Sequence, residues 1–264
     1  MKTPSLVRFL YYFNFLYNLK MDTKKKILEE IKNASNKEFA EHHQRFFKTG
    51  KGEYGEGDLF YGIKVPVIRA IAKTHWEQIS LGEIEELLQD PYHEVRLAAL
   101  FLMIFKYEKR AGGNGTGKKD FNETKSEILN LYLSNTNFIN NWDLVDLSAP
   151  KIVGNYAFEN KKSDIIYALA DENHLWSNRI AVVASHYYIK KRDFSIILAL
   201  SERFLLHEHD LMRKAVGWML REMGKIDIEP LYCFLDKYHK TMPRTMLRYS
   251  IERLHSDKRL HYMS

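Results

Sequence analysis

The stretch His93-Glu94-Val95-Arg96-Leu97-Ala98-Ala99-Leu100 resembles a second one, Ser177-Asn178-Arg179-Ile180-Ala181-Val182-Val183. Each sets one arginine at the head of an apolar run, and Arg96 and Arg179 stand 83 residues apart. Weaker echoes are Arg213-Lys214-Ala215-Val216-Gly217-Trp218 and Met246-Leu247-Arg248-Tyr249-Ser250-Ile251, where Lys214 and Arg248 are 34 apart. These spacings fall in the range of paired-helix repeats, the longer one spanning about two units. The surrounding periodicity is helical, with about ten short amphipathic helices between 65 and 256 and no strand run or hairpin signal. The expected fold is therefore all-α: HEAT-like helical repeats stacked into a curved α-solenoid with a concave binding face.

At 264 residues, 45% hydrophobic and 28% charged, the chain is long enough to bury a substantial core. Its single cysteine, Cys233, excludes an internal disulfide framework and fits a reducing compartment. Set in Leu-Tyr-Cys-Phe-Leu, it reads as a small buried apolar residue. The net charge of +6 permits a polyanionic partner. Residues 1–80 carry 14 Lys/Arg against 9 Asp/Glu, 81–204 carry 15 against 17, and 205–264 carry 11 against 8. Positive charge thus gathers at the two ends. Leu6 to Leu19 is aromatic and apolar, but too short to span a bilayer and without a small-residue cleavage site. Residues 1–21 read as an extension or a mis-called start, and 22–264 as one domain. Ala111 to Lys119 nearly matches a phosphate-binding loop. Lys119 stands where Ser or Thr is needed and a helix precedes it, so it reads as a helix–helix connection.

The chemistry-bearing stretch is Asn140-Asn141-Trp142-Asp143-Leu144-Val145-Asp146. Read as a helix start, it puts Trp142 and Asp146 on one face, four residues apart. A carboxylate at the edge of an apolar face costs free energy unless it is hydrogen-bonded, paired or open to a cleft. The plainer alternative is a helix-start acid beside a core tryptophan. Gly62-Ile63-Lys64-Val65-Pro66, followed by Arg69, reads as a helix start with backbone N–H groups near two cations, a plausible phosphate site. The plainer alternative there is a solvated helix end. Gly217 beside Trp218 is costly inside a helix and allows close backbone approach. His42-His43 and His207-Glu208-His209 lack metal-site spacing and read as surface or capping residues. No metal and no cofactor is expected.

Taken together, Tyr54-Gly55-Glu56-Gly57-Asp58, Gly62-Ile63-Lys64-Val65-Pro66 with Arg69, Trp142-Asp143-Leu144-Val145-Asp146, Trp176 with Arg179, and Gly217-Trp218 with Leu220-Arg221-Glu222 resemble the AlkD-like family of DNA alkylation-repair glycosylases. They run in the family's order over about residues 22–256. The resemblance implies a concave face that binds duplex DNA and removal of cationic N3- or N7-alkylated purines, with the lesion trapped rather than flipped into a deep pocket. By that resemblance Asp146 is the catalytic aspartate, Trp142 and Trp218 flank the lesion, and Arg179 lies at the DNA face and helps anchor the backbone. Lys64, Val65, Pro66 and Arg69 form a backbone-contacting helix start, and Arg221 is a further DNA contact. Val65 departs from members that carry a hydroxyl there.

The residue types suit that chemistry. An alkylated purine is already cationic and leaves without a strong general acid. A fixed carboxylate stabilises the positive charge growing on deoxyribose, tryptophan faces attract cations, and basic residues hold phosphates. The partner implied is double-stranded DNA containing alkylated bases, met by a cytoplasmic monomer with no membrane and no obligate protein partner. Two other readings fit a helical-repeat fold: a non-catalytic binder of DNA or RNA structures, and a protein-binding scaffold.

Overall fold

The computed structural model describes residues 23–109 and 118–264. The 1–21 extension and the core of the glycine-rich stretch, 110–117, lie outside the described residues. Read from sequence as one domain, the chain divides by its contacts into two compact units, residues 1–141 and 142–264. The described residues are helical with no strand, and a single isolated bridge pairs Leu59 with Tyr92. The all-α expectation holds.

The first unit contains α1 (Thr23–Asn33), α2 (Lys37–Phe46), α3 (Val65–His75), α4 (Leu81–Leu88), α5 (His93–Lys109), α6 (Lys118–Ser134) and a 3-10 turn at Thr136–Phe138. Helix α5 is its centre, packed against α1, α3, α4 and α6. The second contains α7 (Trp142–Ser148), a π-helical turn (Pro150–Gly154), α8 (Asn155–Glu159), α9 (Asp164–Asp171), α10 (Leu175–Lys190), α11 (Ser195–Arg203), α12 (Asp210–Ile226), α13 (Ile228–Tyr238), α14 (Arg244–Ile251) and α15 (Ser256–Met263). Helix α10 is its centre, in contact with α7, the π-turn, α8, α9, α11 and α12.

The two stretches that echo each other in sequence are these two central helices. Neither is amphipathic where it matters: His93 to Ile104 and Trp176 to Ser185 are buried without a break. A helix buried on every side is one enclosed by its neighbours, and each fully buried Leu, Ile or Val stabilises the fold by about 1.5–3 kcal/mol. The outer helices are the amphipathic ones. On α13, Leu231, Phe234 and Leu235 bury at helical spacing, which turns Cys233 outward. It is exposed, not the buried residue its apolar neighbours suggest.

Two features fix the helices that carry the candidate residues. Gly62 has φ +77°, and a Cβ there would meet Asn36 O at 2.2 Å. Glycine is thus required both for the left-handed turn into α3 and for its close approach to the start of α2. The buried Glu94 carboxylate accepts the N–H groups of Tyr61, Gly62 and Ile63 at 3.0, 2.8 and 3.2 Å, holding that turn from α5. In the second unit, a Cβ on Gly217 would lie 2.5 Å from Met246 O, so α12 and α14 touch backbone to backbone.

Candidate functional site

Helix α7 buries Leu144, Val145 and Ser148, while Trp142 and Asp146 are half-buried on its other side. The helix is short because Pro150, which lacks an N–H, opens the π-turn that follows. That turn lies flush on α10, since a Cβ on Gly154 would meet Ala184 O at 2.2 Å. This packing brings Asp146 to Arg179.

The Arg179 guanidinium grips Asp146 with two parallel bonds, Nε to Oδ1 at 3.1 Å and Nη2 to Oδ2 at 2.9 Å. Its remaining Nη1 donates to Leu211 O at 2.6 Å. A planar fork of this kind fixes both the position and the plane of a carboxylate. One side chain of α10 therefore ties α7, through Asp146, to the first turn of α12, the helix that carries Trp218. Arg179 is 4% exposed and fully engaged. The sequence expectation places it at the DNA face; in the structure its guanidinium is occupied by Asp146 and Leu211 O.

The same device occurs in the first unit. Arg96, at the start of α5, sets Nη2 2.7 Å from Asp58 Oδ1 and donates from Nη1 to the Asp90 and Pro91 carbonyls. The two aspartates differ in setting. The Asp58 side chain is 4% exposed. Burial would raise its pKa, but His93 and Arg96 outweigh burial and hold it below the usual carboxylate value. The Asp146 side chain is 19% exposed. Burial pushes its pKa above the usual value, and Arg179 only partly pulls it back. Asp58 is a sealed ion pair, whereas the Asp146 side chain stays partly exposed and its acidity is perturbed upward, a combination that marks candidate functional carboxylates.

Trp218 is half-buried on α12. Its indole N–H donates to Glu222 Oε1 at 3.0 Å, and Lys225 holds the same carboxylate at 2.7 and 2.9 Å. The His186 ring on α10 lies 6.2 Å from the indole, centroid to centroid. Burial and then Lys190 depress its pKa, which keeps it neutral near pH 7. Arg221 is bound to Glu252 and lies 3.8 Å from Glu222. Expected from sequence as a DNA contact, it is paired within the fold and its side chain is 16% exposed. Glu222 and Glu94 have positioning geometry that their exposed-type side chains did not announce in the sequence.

In the first unit, Lys64, Val65, Pro66, Val67 and Arg69 are all exposed at the start of α3. Lys64 is the helix's N-cap residue, with its ammonium over the Phe39 ring at 5.3 Å. The Arg69 guanidinium lies over Phe101 at 5.0 Å. This is a basic helix start whose entry turn is fixed by Glu94 rather than left loose. His209 caps α12 by accepting the Leu211 N–H at 3.2 Å, the capping use expected of it. Among the described residues no group of three or more His, Cys, Asp or Glu is placed to hold a metal ion, and no helix is long and apolar enough to cross a membrane.

Comparison with known proteins gives two findings. The model of a family described as DNA alkylation repair enzyme matches residues 27–254. A solved structure from Enterococcus faecalis, described as a predicted DNA alkylation repair enzyme, superposes with a TM-score of 0.63 at 18% identity, covering 84% of this chain and 97% of that one. At that identity the likeness speaks to fold. No curated protein matches significantly in sequence.

Proposed function

This chain belongs to the DNA alkylation repair enzyme family, and we propose that it is a DNA N-glycosylase that hydrolyses the glycosidic bond of cationic alkylated purines in duplex DNA. The observation that carries this reading is the Asp146–Arg179 pair: a carboxylate fixed in position and plane on a side chain that keeps about a fifth of its surface exposed.

The chemistry follows from the charges. In a purine alkylated at N3 or N7 the base bears positive charge. When the C1′–N bond breaks, its electron pair goes to the base and neutralises it. The positive charge then develops on the deoxyribose ring. Asp146 stabilises that charge and orients a water toward C1′, which adds to the sugar and loses a proton. No general acid is required for departure. Electrostatic groups fixed beforehand supply such stabilisation without reorganising during the reaction. Arg179 acts through Asp146 as a positioning residue. Trp142 and Trp218 offer indole faces to the cationic nucleotide, with the Trp218 plane set by Glu222. Lys64 and Arg69, with the first-turn N–H groups around Val65 and Pro66, serve as a sequence-independent phosphate contact. The exposure of the Asp146 side chain, 19% against 4% for Asp58, favours this reading over a non-catalytic binder. The proposed setting is the DNA of the cytoplasm, with the protein acting as a monomer.

The test is product analysis on methylated duplex DNA. The proposal expects free 3-methyladenine and 7-methylguanine in the supernatant, with abasic sites left in the strand. Duplex binding without any released base would overturn it.

A further inference from the structure

The second unit has spent most of its arginines on itself. Arg179 and Arg221 are neutralised by Asp146 and Glu252. Arg192 and Arg203 are paired with Asp227 and Asp171, and Arg253 lies 3.6 Å from Glu252. Arg213 and Arg244 donate to the backbone carbonyls of His207 and Met263. Among the described residues of this unit, Arg248 and Arg259 are the arginines left without a carboxylate or carbonyl partner. They converge: both line one cavity of about 490 Å³, whose remaining wall is Ile251, Ser256, Leu260 and Met263. Both arginines are exposed, and Leu260 is 70% exposed.

The surrounding charge does not cancel them. Residues 240–264 contain six Lys/Arg against two Asp/Glu. Of those two acids, Glu252 is already engaged by Arg221 and Asp257 lies 3.4 Å from His255. Two guanidiniums beside an apolar wall suit a phosphodiester, with oxygens for the forks and a sugar face for the leucine and methionine. A free anion would make no use of that wall. The position also favours a backbone over a small ligand. Arg248 sits on α14, which packs directly on α12, the Trp218 helix, at Gly217. Packed helix axes lie about 8–10 Å apart, a span of two or three base steps at ~3.4 Å each along one strand.

We propose that the Arg248–Arg259 cavity receives a backbone phosphate of duplex DNA, making the α14–α15 corner a gripping element separate from the Asp146 centre. This rests on the nucleic-acid reading above but not on glycosidic chemistry. Affinity of the full chain for undamaged duplex, followed by fluorescence anisotropy across a salt series, tests it with the double variant Arg248→Gln/Arg259→Gln. The slope of log K against log salt is expected to fall by about 0.9, the value for one phosphate no longer neutralised. The rate of base release at saturating DNA stays at the wild-type value, and Arg248→Lys/Arg259→Lys keeps the wild-type slope. A double Gln variant with the wild-type slope and an unchanged melting temperature overturns the proposal and leaves the glycosylase reading standing. So does loss of affinity for a free mononucleotide with duplex affinity intact. Absence of salt-dependent duplex binding by the wild type would remove both together.

Discussion

Asp58 and Asp146 are two settings of one arrangement. Each is held by an arginine near the start of a buried helix, and only their exposure and the balance around them differ. At Asp146 burial raises the pKa and Arg179 opposes it, so removing Arg179 raises it further. In the proposed mechanism the ionised form is the working one, which sets the sign: Arg179→Gln moves the acid limb of the pH profile of kcat/KM to higher pH. A lowered rate with an unmoved acid limb would contradict the positioning role. The same change leaves a largely buried carboxylate unpaired and is expected to lower stability by about 3 kcal/mol, read by urea denaturation. Trp142 and Asp146 were legible in the sequence because four residues define one helix face. Their partners were not. Arg179 lies 33 residues from Asp146, and Glu252 lies 31 from Arg221. No local pattern says whether a cation faces solvent or is spent on a distant acid.

At the scale of elements, α5 and α10 could be found through their mutual likeness although their own periodicity is weak, since a helix buried on all sides has no polar face to mark it. Short pieces fared worse. The break at Pro150 into a π-turn, and α8 after it, depend on α10 lying against Gly154, a tertiary fact. Gly217 was legible as a cost that something must justify, and the justification is the backbone of α14. Gly217→Ala places a methyl 2.5 Å from Met246 O. The gain in helix propensity, up to about 1 kcal/mol, is outweighed by overpacking of about 1–3 kcal/mol or more. Urea unfolding should show net destabilisation, together with slower base release as Trp218 shifts with its helix. A stabilised variant would mean that α12 and α14 separate without strain.

For the whole molecule, family membership spans residues 27–254 and so covers both units. The proposed chemistry, however, rests on one carboxylate in the second unit. Asp146→Asn keeps the shape and removes the charge, and an amide can still accept from one arm of Arg179. The most direct measurement is single-turnover release of 7-methylguanine from a defined duplex by wild type and Asp146→Asn, with duplex affinity measured alongside. The account predicts a rate lower by about 10²–10³, the size seen when one fixed electrostatic group is removed, with affinity within about twofold of wild type. Release by Asp146→Asn at the wild-type rate would contradict it.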